Sequence, residues 1–210
     1  MSWLLAWGAA WAAPNVLILG DSLSAAYGIA EDRGWVALLQ RRLAEGGYPH
    51  RVVNASVSGE TSVGGLNRLP RLLAEHFPAV VVVELGANDG LRGIAPKVFG
   101  ENLTAIVSAA RGAGARVLIL GVRLPPNYGA VFNTRFERVY ASVADETDTA
   151  LVPFFLEGVA ENRQLMLPDG LHPAAEAQPR LLDNVWPALV PLLEATRTAL
   201  PVSAPAPTSG

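Results

Sequence analysis

Cysteine is absent from the 210-residue chain, which excludes a thiolate nucleophile, a zinc finger, a redox CxxC pair and a disulfide scaffold. Histidine is scarce: His50, His76 and His172 stand far apart and in no HExxH spacing, so no transition-metal site is expected. Charged residues make up 17% of the chain and balance to a net −3. Nucleic-acid binding needs clustered Lys and Arg to neutralise phosphates, and such an excess is missing. Also missing are a GxSxG nucleophile elbow, a GxxxxGK[ST] loop, a GxGxxG after a strand and a matched carboxylate pair of the glycosidase kind. Chemistry on this chain must therefore use hydroxyls, carboxylates, amides and at most a histidine or two, with no cofactor expected.

Hydrophobic residues are plentiful, at 50%, enough for one well-buried core at this length. The apolar stretch 1–13 falls short of the ~20 residues that cross a bilayer. Its small residues around Ala10, Trp11 and Ala12 suit a secretory leader with an A-x-A-like cleavage site, although no Lys or Arg precedes the apolar part. A periplasmic or secreted address is the expectation, without stable membrane insertion. Residues 201–210 are rich in Pro, Ser and Ala and are expected to be unstructured. That leaves 14–200 as a single domain, expected to be monomeric.

Five short apolar runs, 16–19, 51–57, 79–85, 116–122 and 150–155, have the length and β-branched content of strands. They are continuous rather than alternating, as strands covered on both faces should be. Between them the apolar residues recur at helical spacing: Trp35, Leu38, Leu39 and Leu43; then Leu103, Ile106, Val107 and Ala110; then Phe132, Phe136, Val139, Tyr140 and Val143. Residues 66–77 also read as a helix, started or kinked by Pro70. A last helix runs through Leu181, Leu182, Val185, Trp186 and Leu189, with Pro187 and Pro191 bending or shortening it. The expected fold is a three-layer α/β/α sandwich on a five-stranded parallel sheet of order 2-1-3-4-5.

Function in such a sheet sits at the carboxyl ends of the strands, near the switch point. Gly20-Asp21-Ser22-Leu23-Ser24 follows the first run, Ser58-Gly59-Glu60-Thr61-Ser62 the second, and Gly86-Ala87-Asn88-Asp89-Gly90 the third. Asp169-Gly170-Leu171-His172-Pro173 follows the fifth. A serine hydroxyl is a weak nucleophile until a base takes its proton, and histidine does this well near neutral pH. Asp169, three residues before His172, can hold one ring nitrogen while the other faces Ser22. A developing oxyanion then needs donors. With strand order 2-1-3, the Ser22 amide, the Gly59 amide and the Asn88 side chain come from neighbouring strand ends roughly 5 Å apart.

These four blocks, in this order, resemble those of the GDSL/SGNH hydrolase family. The strings GDSLSAAYGI, NASVSGETS, VELGANDGLRG and DGLHP are similar to its thioesterase I/protease I/lysophospholipase L1 and arylesterase subgroup, over about residues 15 to 193. The resemblance implies the SGNH fold, with Ser22 as nucleophile, His172 as base and Asp169 as orienting acid. It also implies an oxyanion hole from the Ser22 amide, Gly59 and Asn88. Hydrolysis of carboxylic esters and acyl thioesters, of arylesterase, acyl-CoA thioesterase or lysophospholipase type and on small-molecule substrates, follows from it, without cofactor. Where the subgroup often has two glycines before the asparagine, this chain has Gly86-Ala87. Glu84 matches the subgroup too, with no role assigned.

Leu91 and Arg92 after the third run, and Pro125 and Tyr128 after the fourth, are candidate substrate-binding residues, apolar for an acyl chain with Arg92 for an anionic head group. Asp21 and Asp89 are expected to hold loop hydrogen bonds. His50 and His76, at element ends, are expected to be solvated, and Glu31, Asp32, Arg41 and Arg42 to be exposed helix charges. Alternative readings are carbohydrate deacetylation or acyl transfer on the same site, or a non-catalytic lipid-binding protein on a retained hydrolase fold.

Overall fold

The computed structural model describes residues 13–197, and its sheet is built outward from four consecutive valines, Val80 to Val83. They lie in β3 (Pro78–Glu84), paired in parallel with β1 (Asn15–Gly20) on one side and β4 (Arg116–Leu120) on the other. Every β1 residue from Val16 to Leu19 and every β3 valine is buried, at about 1.5–3 kcal/mol for each side chain removed from water. β2 (Arg51–Asn54) and β5 (Ala150–Val152) close the two edges, so the order is β2-β1-β3-β4-β5, all parallel. This is the expected sheet.

The outer strands are shorter than the apolar runs suggested. β2 stops at Asn54, and Val52 and Val53 are only half-buried, since an edge strand lacks a neighbour on one side. Beyond it the amides of Ala55 and Val57 still bond to the Ile18 and Gly20 carbonyls, so the chain tracks β1 up to the site. β4 ends before Gly121 and β5 before Pro153, which has no amide hydrogen to give. Phe154 and Phe155 are nevertheless buried, as core residues of a loop.

The helices that cover the sheet are α1 (Trp35–Glu45), α2 (Ser62–His76), the short α3 (Ala87–Leu91), α4 (Pro96–Gly112), α5 (Ala130–Thr147) and α6 (Gln178–Thr196). α2 begins at Ser62, ahead of the expected start, because the Thr61 hydroxyl caps it by accepting from the Gly64 amide. Pro70 neither starts nor ends this helix; it sits mid-helix on an exposed position. Pro187 and Pro191 likewise lie inside α6 without shortening it. The rings of Phe99, Phe136 and Tyr140 pack together between α4 and α5, Phe99 and Phe136 stacked with centroids 4.7 Å apart. Among the described residues no helix is long and apolar enough to cross a membrane. The expected leader, apart from residue 13, and the expected tail lie outside the described residues.

Candidate active site

The loops after β1, β2, β3 and β5 all emerge at the carboxyl edge of the sheet, as the parallel pairing requires. Ser22 follows β1 in a tight turn in which the Ala25 amide bonds to the Asp21 carbonyl and the Tyr27 amide to the Ser22 carbonyl. Gly20 must lack a side chain, since a Cβ there would stand 2.8 Å from both the Ser24 Cβ and the Ser56 Oγ. From the far end of the sequence, residues 166–173 fold back on this turn. An isolated bridge joins Met166 to Pro173, and the Leu167 amide bonds to the His172 carbonyl at 2.7 Å. Buried Gln178 ties the same loop to α1, accepting from the Trp35 amide and donating to the Pro173 and Ala174 carbonyls.

The result is a linear array. The Ser22 hydroxyl lies 2.9 Å from His172 Nε2, and His172 Nδ1 lies 2.7 Å from Asp169 Oδ2. Asp169 Oδ1 accepts from the Leu171 and His172 amides at 2.9 and 3.0 Å. Partial desolvation pushes the Asp169 carboxyl up, but these amide bonds, the imidazole hydrogen bond and the imidazole charge outweigh it and bring it down to about 2. A carboxylate this readily ionised keeps Nδ1 protonated and Nε2 free to accept from Ser22.

Asn88, on α3, stands beside Ser22 on the wall of the same cleft, its Nδ2 donating to Asp21 Oδ2 at 2.9 Å. Gly86 reaches this position at φ 122°, and a Cβ on it would meet the Tyr140 Oη at 2.1 Å. Ala87 is in helical conformation and holds its methyl without such need, so only the first of the subgroup's two glycines is sterically required here. Gly59, at φ 80°, lies on the loop after β2, and its carbonyl accepts from Arg92 Nη2 at 2.8 Å. Asp89 is buried and clips this loop to α3 through the Ser62 amide and hydroxyl, the loop-holding part expected of it.

A cleft of about 560 Å³ opens from Ser22, Asn88 and His172, walled by apolar groups including Leu91, Leu124, Pro125, Phe154, Leu156 and Met166. Leu91 and Pro125 are thus in its wall. Arg92 and Tyr128 stand outside that lining, Arg92 held by Gly59 and Tyr128 donating to the Leu91 carbonyl at 3.2 Å. Arg123 lines the cleft with its guanidinium 4.2 Å from the Phe154 ring. Tyr27 was not singled out by sequence; 51% exposed, it lays its ring 4.3 Å from the His172 ring at 36°. The contact joins residues 145 positions apart, so no local pattern announces it. His50 corrects an expectation: it is only 2% exposed, with Nε2 3.0 Å from Thr196 Oγ1, because α6 folds over it. His76 and Arg42 are half-buried rather than solvated, Arg42 pairing with Asp183 at 2.7 Å.

A parallel 2-1-3-4-5 sheet with a hydroxyl, imidazole and carboxylate aligned at its carboxyl edge defines a hydrolase class. The chain belongs to the GDSL-like lipase/acylhydrolase family, whose model matches residues 18–179. Among curated relatives it is 60% identical over 182 residues to the esterase TesA of Pseudomonas aeruginosa, covering 87% of this chain and 90% of that one. It is 45% identical to thioesterase 1/protease 1/lysophospholipase L1 of Escherichia coli K12, covering 87% and 86%. Among solved structures, the psychrotrophic esterase EstA from Pseudoalteromonas sp., inhibited by monoethylphosphonate, matches at TM-score 0.82 and 40% identity, over 86% of this chain and 98% of that one.

Proposed function

We propose that the protein hydrolyses carboxylic esters and acyl thioesters through an acyl-enzyme on Ser22. The Ser22–His172 separation of 2.9 Å, continued to Asp169, carries this reading, and relatives named esterase and thioesterase support it. His172 Nε2 takes the hydroxyl proton as Ser22 Oγ attacks the acyl carbon. The carbonyl oxygen gains negative charge against the Asn88 amide and the backbone amides of Ser22 and Gly59. Collapse expels the alcohol or thiol, which receives the proton from His172. A water then gives a proton to His172 and attacks the acyl-enzyme, freeing the acid and restoring Ser22. The apolar cleft holds the acyl chain, with Leu91 and Pro125 among its contacts, and Arg92 and Tyr128 brace the rim.

A series of p-nitrophenyl esters from acetate to palmitate, run beside palmitoyl-CoA with Ser22→Ala as blank, tests this. Turnover in the parent and a loss of about 10⁶ in the variant are expected; equal rates in both would overturn it. We also propose that the chain is exported and cleaved near Ala13 to Asn15. N-terminal sequencing of the secreted or periplasmic protein should begin there, and an intact Met1 would overturn export by this leader.

A further inference from the structure

Under Ser22 lie two buried acids that the proposed chemistry leaves unused. Gly20 is in register with Glu84 across the β1–β3 pairing, so Asp21, one residue on, sits beside Glu84, and neither has any exposed surface. Asp21 Oδ1 accepts from the Leu23 amide at 3.0 Å, and Oδ2 accepts from Asn88 Nδ2 at 2.9 Å. Glu84 Oε2 accepts from the Ser24 hydroxyl at 2.8 Å and from the Asp21 amide at 3.3 Å. The Ser24 oxygen in turn accepts from the Trp35 indole at 3.2 Å. Glu84 Oε1, fully buried, has no partner.

Two carboxylates in contact away from water do not both ionise. Burial, with the Asp21 charge next, pushes Glu84 well above the usual carboxylate range. Burial also raises Asp21, to about 6, against the pull of its bonds from Leu23 and Asn88. His172, from the 166–173 loop, pulls Asp21 down; on the other side stands Tyr140 of α5, whose hydroxyl is raised by burial first and then by the charges of Glu84, Asp21 and Asp89 of α3.

We propose that Asp21 and Glu84 share a single proton, held on Glu84, and act as a positioning pair that presents the Asn88 side-chain nitrogen to the cleft. The inference rests on Asn88 being an oxyanion donor. Both oxygens of Asp21 accept, one from Leu23 and one from Asn88, and an ionised carboxyl, which carries no proton on either oxygen, serves both bonds best. An Asn88 amide turned over would set its own oxygen against Asp21 Oδ2, acceptor against acceptor. The ionised Asp21 thus selects one of two amide orientations and leaves the second Nδ2 hydrogen for the substrate oxygen. A neutral Glu84 keeps the pair at one negative charge, and Oε1, to which no group donates, is the oxygen left free to carry the proton.

The test is steady-state kinetics on p-nitrophenyl butyrate with Asp21→Asn, Asn88→Ala, their double variant and Glu84→Gln, each checked by near-UV circular dichroism. Asp21→Asn supplies one acceptor where two are needed, so kcat should fall by about tenfold or more with KM within about twofold, a part of the ~10²–10³ that one oxyanion donor is worth. The double variant should be no slower than Asn88→Ala alone, because both changes remove one device. Glu84→Gln keeps a neutral hydrogen donor in place and should hold kcat within about threefold. A multiplicative double variant, or a kcat for Asp21→Asn like the parent's, would overturn the pair. Should Asp21→Asn fail to fold, Glu84→Gln decides: a larger loss in a folded protein means that Glu84 must be ionised, and the proposal fails. If Asn88→Ala itself turns over like the parent, it is the oxyanion reading that falls, and the two failures are told apart.

Discussion

On the proposed mechanism, two side chains beside the Ser22–His172 contact should bear on turnover without carrying its proton, Asn88 and Tyr27. Asn88→Ala removes one preorganised donor and should lower kcat by about 10²–10³, with KM little changed; a fall of less than tenfold would count against it. Tyr27 lays its ring beside an imidazole that, on the proposed mechanism, becomes cationic when Ser22 gives up its proton. An aromatic face is worth about 0.5–1 kcal/mol to a cation at an exposed site. Tyr27→Leu should therefore cost about two- to fivefold in kcat, while Tyr27→Phe keeps the ring and the rate; an equal loss in both would move the effect to the hydroxyl. The contrast between these residues shows what the sequence could tell. Ser22, Asn88, Asp169 and His172 stand in short strings whose spacing is itself the signal. Tyr27 and Glu84 gain their meaning from partners 145 and 63 positions away, and the burial of His50 comes from α6, at the other end of the domain, where no local pattern shows it.

Element by element, the central strands were legible because valine and leucine runs in a doubly covered sheet leave no alternative, whereas the edges were not. β2 and β5 end where the ladder ends, and that depends on the neighbour as much as on the strand. The start of α2 is illegible in the sequence because its first turn, Ser62-Val63-Gly64-Gly65, lacks apolar periodicity; the cap on Thr61 and the Asp89 bonds to Ser62 supply what propensity does not. The β3–α3 junction gives a sharp test of such local constraints. Gly86→Ala would force a Cβ to 2.1 Å from the Tyr140 Oη and 2.7 Å from Phe99 Cζ at φ 122°. Tyr140 cannot swing aside without losing its bond to the Leu85 carbonyl at 3.0 Å. Overpacking and a left-handed alanine together should cost about 3 kcal/mol, read as a lower urea midpoint. A midpoint like the parent's would show that the junction yields more easily than its packing suggests.

Across the whole molecule, buried titratable groups set opposing pH dependences. The Asp21 carboxyl is raised to about 6, so burying it ionised costs stability above that pH, and the cost fades as pH falls toward its ordinary value of 3.8. His50 acts the other way. Burial, aided by Arg197 and opposed by Glu194, lowers its imidazole below the ordinary range. The unfolded chain then takes up a proton near pH ~6.5 that the folded one refuses. Its contribution is full above that pH, shrinks as pH falls, and levels off beneath the folded value, with a slope of at most about 1.4 kcal/mol per pH unit for one proton. A proton added at Nδ1 of His50 would find no acceptor there to relieve this. Thermal unfolding of the parent beside His50→Gln, from pH 7.5 to 5, separates the two contributions, because the acid pair is common to both proteins. The parent should lose ground to the variant as the pH is lowered, the gap opening near pH 6.5; a gap that stays constant would show that His50 titrates alike folded and unfolded, and that the seam between α6 and β2 does not sense acid.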